Sequence, residues 1–120
     1  MIDSILESVK RMLGIPKEDK DFDEELILHI NGAFSKLDQL GIGKRETPFY
    51  ITGDEEKWSD YTPPNHGYSD SVRFVYLTVR MLFDPPTIGT VSSSFAEQLK
   101  EIEWRLSERR EENRESYDII

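Results

Sequence analysis

Three aspartates at every second position are the first residues of this sequence whose spacing suggests a metal-binding site. Asp19, Asp21 and Asp23 are spaced as in the first half of a calcium-binding loop. Such a loop also needs glycine at its sixth position and glutamate at its twelfth, where this chain has Glu24 and Ile30. Because acidic side chains are favoured at helix N-termini, we interpret the run as a solvated helix start and expect no metal site.

The histidines and serines offer no stronger catalytic pattern. We expect neither His29 nor His66 to have a carboxylate or a second histidine at metal-ligand spacing on a shared helix face. We interpret His29 as a packing residue within a helix, with a general base as the alternative, and His66 as a solvated loop residue. The serines at 92–94 lack the Gly-x-Ser-x-Gly elbow of hydrolases and suit helix capping. We therefore expect no enzymatic activity and no cofactor.

Composition narrows the class of protein further. The chain has 120 residues, which predicts one domain, and 24 acidic against 15 basic side chains give a net charge of -9. This charge disfavours tight binding to nucleic acid, because such binding depends on Lys and Arg at the phosphates. Cysteine is absent, which excludes disulfides and thiolate metal sites. We expect neither a signal peptide nor a membrane span.

Two amphipathic helices are predicted in the first third of the chain. Apolar residues at steps of three and four indicate a helix near residues 3–13, which Gly14 ends. A longer helix is predicted near 22–40, where Asp21 and Glu24 have the spacing of a capping box.

Residues 44–67 form a long irregular segment rich in proline and glycine. Within it, the stretch PFYIT at 48–52 favours a short strand, and Asp54 is placed to cap a single helical turn through Trp58 and Tyr61. Because the segment carries several aromatic residues, we expect it to pack against the rest of the domain.

A third helix is predicted to end at about Phe83, with few positions left for water. The predicted fold is all-α, a small bundle of about four helices with the irregular segment between the second and third. The predicted core consists of residues from three apolar stripes: Leu26, Ile30, Phe34, Leu37, Val72, Val75, Tyr76, Val79, Leu82, Leu99 and Ile102.

A sharp corner in the chain, caused by two prolines, is predicted after the third helix. Asp84 precedes Pro85 and is therefore biased out of helical geometry, and Pro86 extends the break. One interpretation is an ordinary loop. The other is a rigid elbow that presents helix faces to neighbouring subunits.

The last helix is predicted to start at Ser94, which forms a capping box with Glu97. Trp104 points away from the centre of the apolar stripe, beside Arg105, and is interpreted either as an interface anchor or as a residue at the core edge. Residues 1–107 are predicted to form a single helical domain, and 108–120 a charged tail or helix extension.

Several stretches of the sequence resemble the small head–tail connector, or head-completion adaptor, proteins of long-tailed bacteriophages and related prophages. The resemblance runs from residue 1 to about 107 and rests on ILESVKRMLGI, FDEELILHINGAFSKLDQLGIG, EEKWSDY and, above all, VYLTVRMLFDPPT followed by EIEWRL. It implies a helical structural protein that forms a homomeric ring below the portal, joins it to the tail or next neck protein, and extends the DNA channel.

The resemblance also implies a place and partners for the protein. It implies a virion component at the head–tail interface, present in the host cytoplasm during assembly, through whose channel DNA passes without sequence-specific binding. The alternative is a small helical protein-binding or regulatory module that acts as a monomer or dimer. The candidate interaction residues are Trp58, Tyr61, Asp84, Pro85, Pro86, Trp104 and Arg105.

Overall fold

The computed structural model describes residues 4–40, 49–61, 68–85 and 87–118. Its helices, in chain order, are α1 (Ile5–Leu13), α2 (Asp23–Gln39), α3 (Trp58–Tyr61), α4 (Tyr68–Phe83) and α5 (Gly89–Asp118). No strand occurs within these described ranges. The predicted all-α class is confirmed, with α3 as a single turn between the second and third long helices.

Helix α1 begins and ends with ordinary capping interactions. The Ser4 hydroxyl accepts a hydrogen bond from the backbone N–H of Glu7 at 3.3 Å. At the other end, Gly14 takes a left-handed conformation with φ 80°, which glycine adopts without steric cost. Its N–H donates to the carbonyl of Arg11 at 3.2 Å. The predicted stop at Gly14 is therefore confirmed.

The capping box predicted for α2 is wrong. Phe22 occupies the N-cap position and makes no side-chain capping bond. The reason is local, because the aspartates turn the chain before the helix starts: the N–H of Asp21 donates to the Oδ1 of Asp19 at 3.0 Å. The helix instead begins with three acidic residues in its first turn, which the helix dipole favours.

The short strand predicted at 48–52 is absent in its described part, because Phe49, Tyr50 and Ile51 are irregular. In the described part of the chain, no strand pairs with them. Instead, the Asn31 side chain bonds the backbone of Ile51 twice, accepting from its N–H at 2.7 Å and donating to its carbonyl at 2.9 Å. This amide replaces a strand partner and fixes the irregular segment to α2.

The predicted turn at Trp58 is present as α3, although Asp54 does not cap it in the structure. The Asp60 carboxylate accepts from the N–H of Lys57 at 2.9 Å instead. Before the turn, the Glu56 carboxylate accepts hydrogen bonds from the N–H groups of Thr52 and Gly53 and from the Thr52 hydroxyl. Burial acts to raise the pKa of Glu56, but these hydrogen bonds outweigh it and lower the pKa.

The core lies between α2 and α4, with α1 and α5 packed on it. Of the predicted core, Val72, Tyr76 and Leu99 are only partly buried and Leu82 is 58% exposed, so the Leu82 prediction is wrong. Phe83, one position on, faces Phe22 instead, with ring centroids 5.3 Å apart. The buried apolar side chains are Ile5, Leu6, Val9, Leu26, Ile30, Ala33, Phe34, Leu37, Ile51, Trp58, Tyr61, Phe74, Val75, Leu77, Val79, Ile102 and Leu106.

Helix α5 starts five residues before the predicted capping box, so the prediction that Ser94 caps it is wrong. The carbonyl of Ile88 already accepts from the N–H groups of Val91 and Ser92, each at 3.1 Å. Ser94 lies inside the helix. The helix then runs without a break to Asp118, about 45 Å at 1.5 Å per residue. The predicted division after residue 107 falls within it, and that division stays a prediction.

Candidate assembly surface

Two of the candidate interaction residues, Trp58 and Tyr61, lie in the core rather than at the surface. They are 2% and 3% exposed. Both rings pack against Phe34, with centroids 5.9 Å and 4.8 Å away. The Trp58 Nε1 donates to the Ser8 hydroxyl at 2.8 Å, which ties α3 to α1. Packing within the chain therefore accounts for both aromatic residues, and the structure does not present them to a partner.

The Tyr61 phenol is buried, which affects its pKa. Burial raises its pKa to about 12, and the Asp38 carboxylate adds to the rise, although the Ser71 hydroxyl opposes it. Neither the Tyr61 hydroxyl nor the Ser71 hydroxyl makes a hydrogen bond of normal geometry within the described chain. The neutral phenol is therefore strongly favoured in the folded state.

The corner after α4 is exposed, and the side chain of Arg80 bonds to it. The Arg80 Nε donates to the backbone carbonyl of Asp84 at 2.7 Å. The same nitrogen lies 3.8 Å from the Asp84 carboxylate. Asp84 and Pro85 are both exposed, whereas Pro86 lies outside the described residues. Arg80 thus satisfies a carbonyl that the end of the helix leaves free.

Large apolar side chains surround this corner and face solvent. Leu82 is 58% exposed, Ile88 62% and Val91 38%. Exposed apolar residues that gather in one place indicate an interaction surface, whereas scattered ones do not. We call Leu82, Asp84, Pro85, Ile88 and Val91 the hairpin tip, because α4 and α5 meet there. Sequence reasoning missed Ile88 and Val91, because the helix start was placed after them.

A second exposed apolar site lies further along α5. Trp104 is 64% exposed, the predicted outward orientation. Beside it, the Arg105 guanidinium lies 3.9 Å from the Asp70 carboxylate and 3.7 Å from that of Glu101. The Nε of Arg105 is buried and makes no hydrogen bond within the described chain. We call Trp104 and Arg105, with Glu101, the tryptophan face.

The two sites belong to one antiparallel pair of helices. The contact between Arg105 and Asp70 places the tryptophan face beside the start of α4. A hydrogen bond of 3.1 Å from Arg73 to Gln98 continues the pairing toward the tip. The hairpin tip and the tryptophan face are therefore at opposite ends of the α4–α5 pair.

No catalytic constellation is found among the described residues. The expectation for His29 is wrong in one respect, because Glu25, four positions earlier on α2, shares its helix face, with 3.6 Å between the carboxylate and the His29 Nε2. No group of three His, Cys, Asp or Glu side chains in the described ranges is placed to hold a metal ion.

The comparison with known families decides what kind of protein this is. Residues 5–113 match the family described as Phage connector protein. The chain belongs to the phage connector family. The match extends past residue 107, where the resemblance seen in the sequence ended, and includes most of α5. Searches of the curated proteins and of the solved structures found no match.

Membership of the phage connector family gives the protein a structural role in a phage and makes other head or tail proteins its partners. It also makes the protein a virion component. No helix in the described part of this connector is both long and apolar enough for a membrane span.

Proposed function

We propose that this connector forms a homomeric ring at the capsid vertex, below the portal. The ring joins the portal to the tail or the next neck protein and extends the channel through which DNA passes. During assembly the protein is present in the host cytoplasm, and in the mature particle it lies at the head–tail interface.

The observation that carries the proposal is the exposure of large apolar residues at both ends of the α4–α5 pair. Trp104 at one end and Ile88 at the other are 64% and 62% exposed. Neither side chain contributes to the buried core. Because tryptophan is enriched among the residues that contribute most to protein interfaces, Trp104 is well suited to anchor a partner.

The charge of the chain is compatible with a DNA channel. A net charge of -9 gives each subunit a surface that repels phosphate. We propose that acidic side chains line the lumen, where they let DNA slide without adhering. Adhesion in the channel would slow the passage of DNA during ejection.

The function is tested by disrupting the coding sequence in its phage. We expect heads that contain DNA but fail to join tails, and expression of the intact chain from a plasmid should restore joining. Normal infectious particles without the protein would contradict the proposal. So would empty heads, since a failure before packaging places the protein elsewhere. A protein found in the cell but absent from particles would favour the small regulatory module.

A further inference from the structure

The start of α5 differs from the rest of the chain in its charge. Charged residues make up 32% of the sequence, yet residues 85–96 contain none. Most of this uncharged stretch is exposed, including Ile88, Gly89 and Thr90. An exposed neutral surface is unusual in so acidic a protein, and it includes the apolar part of the hairpin tip.

The packing of α5 is also weak at this end. Among its described side chains, only Ile102 and Leu106 are buried. Phe95 and Leu99 are partly buried against the core, and no side chain between Gly89 and Glu101 is fully buried. The first three turns thus pack on α4 from one side and leave their other flank free.

The hairpin tip and the tryptophan face point in different directions. Val91 and Trp104 are thirteen positions apart on one helix, which corresponds to about 20 Å along its axis. At 3.6 residues per turn they are about 140° apart around the axis. One copy can therefore contact one neighbour through its tip and a different neighbour through Trp104.

We infer that the hairpin tip of one copy packs against the tryptophan face of the next copy. This inference rests on the proposed ring and names the two surfaces that form it. A contact between two different surfaces of identical chains is heterologous, and it closes into a ring when the rotation per subunit permits. A contact between the hairpin tips of two copies would be symmetric and would give only a two-fold dimer.

The distribution of charge along the chain supports a second copy of this protein as the partner of the hairpin tip. Two chains of net charge -9 repel each other, and the repulsion is smallest where one of them presents its uncharged stretch. On the other chain, Arg105 lies between Asp70 and Glu101, so the charges around Trp104 partly balance. The proposed contact therefore places the uncharged part of the hairpin tip on a surface whose negative charge Arg105 partly neutralises.

The absence of cysteine from the chain makes a clean cross-linking test possible. Ser94→Cys introduces a thiol one turn from Val91, and Ser107→Cys introduces one about one turn from Trp104. Both replacements are nearly isosteric and leave the proposed contact residues in place. Within one chain the two positions are about 20 Å apart along α5, too far for a short linker.

The two single variants, carrying different affinity tags, are mixed and treated with a short bis-maleimide, and products are identified by mass spectrometry. We expect the Ser94→Cys/Ser107→Cys heterodimer to exceed both homodimers several-fold. Ser35→Cys, on an exposed position of α2, is the control for random collision. Adding Trp104→Ala to the Ser107→Cys chain should reduce the heterodimer to the control level.

Two results would overturn the inference. A predominant Ser94→Cys homodimer would show a two-fold contact between tips. Cross-linking no greater than with Ser35→Cys would show that the tip does not meet the tryptophan face. If the unmodified chain still forms rings by electron microscopy, only the pairing of these surfaces fails and the proposed function stands.

Discussion

The ammonium group of Lys10 lies 2.8 Å from the Oδ1 of Asp23, at the point where α1 and α2 approach each other. The lysine is 2% exposed and also donates to the backbone carbonyls of Lys17 and Asp19. Its three donors therefore have three acceptors, which is what a buried ammonium group requires. One side chain thus holds the loop between the two helices.

Replacing this lysine should destabilise the protein strongly. Lys10→Met keeps the apolar stem but leaves Asp23 and two carbonyls without their donor, so we expect a loss of about 2–4 kcal/mol in the free energy of unfolding. The matched control is Lys17→Met, because Lys17 is exposed and lies 3.6 Å from Glu7. That change should cost less than about 0.5 kcal/mol. Urea unfolding of both variants measures the difference, and equal losses would contradict the structural role of Lys10.

The buried phenol of Tyr61 predicts sensitivity to alkali. Its pKa is raised from 10.0 to about 12 in the folded chain, so the folded state binds its proton more tightly than the unfolded state does. This difference contributes at most about 3 kcal/mol to the free energy of unfolding. The contribution is fully present below pH 10 and is lost as the pH rises toward about 12. Tyr61→Phe should remove this contribution.

Urea unfolding at several alkaline pH values measures the effect in the parent and in Tyr61→Phe. Tyr50→Phe is the control, because Tyr50 is 63% exposed. This control variant should show the same alkaline loss as the parent. An identical alkaline loss in Tyr61→Phe would show that another group is responsible.

The proline corner should matter more for assembly than for folding. Replacing Pro85 and Pro86 by glycine increases the freedom of the link in the unfolded state, at a cost of about 0.4–1 kcal/mol for each position. We expect near-normal helix content by circular dichroism, together with poor ring formation and poor head–tail joining. Normal joining with a measurably looser link would contradict the rigid elbow. Loss of folding would show that the prolines serve the core.

Trp104 should be dispensable for folding and necessary for self-association. Because its side chain is 64% exposed, Trp104→Ala should change the free energy of unfolding by less than about 0.5 kcal/mol. Loss of an interface anchor typically costs about 2 kcal/mol or more, so association should weaken at least about 30-fold. Leu28→Ala is the control, since Leu28 is 70% exposed on α2. Sedimentation that shows equal association for both variants would remove Trp104 from the interface.

The long amphipathic helices could be predicted from the sequence because each one carries a clear local signal. The stripe from Leu26 to Leu37 repeats at helical spacing, and Gly14 marks an end that only a left-handed residue fits well. The outward orientation of Trp104 could also be predicted from its position relative to Ile102 and Leu106. These features depend on neighbours within one or two turns.

Other features depend on contacts that the sequence does not display. Lys10 is buried only because the next loop supplies carbonyls to its ammonium group. Ile51 remains outside a strand because Asn31, twenty positions earlier, bonds its backbone. Periodicity placed Leu82 in the core, but it is exposed, and the next residue, Phe83, packs against Phe22 instead. Ile88 and Val91 were missed for a local reason, since a serine-rich segment before a helix can be either a linker or the first turns of the helix.

The central claim, that this phage connector forms a ring below the portal, is tested most directly by electron microscopy. The purified chain is combined with the portal of its own phage and imaged. We predict a closed ring of copies coaxial with the portal, with the hairpin tip of each copy beside Trp104 of its neighbour. Portal particles without added density, and a connector that remains a separate monomer or dimer, would contradict the claim.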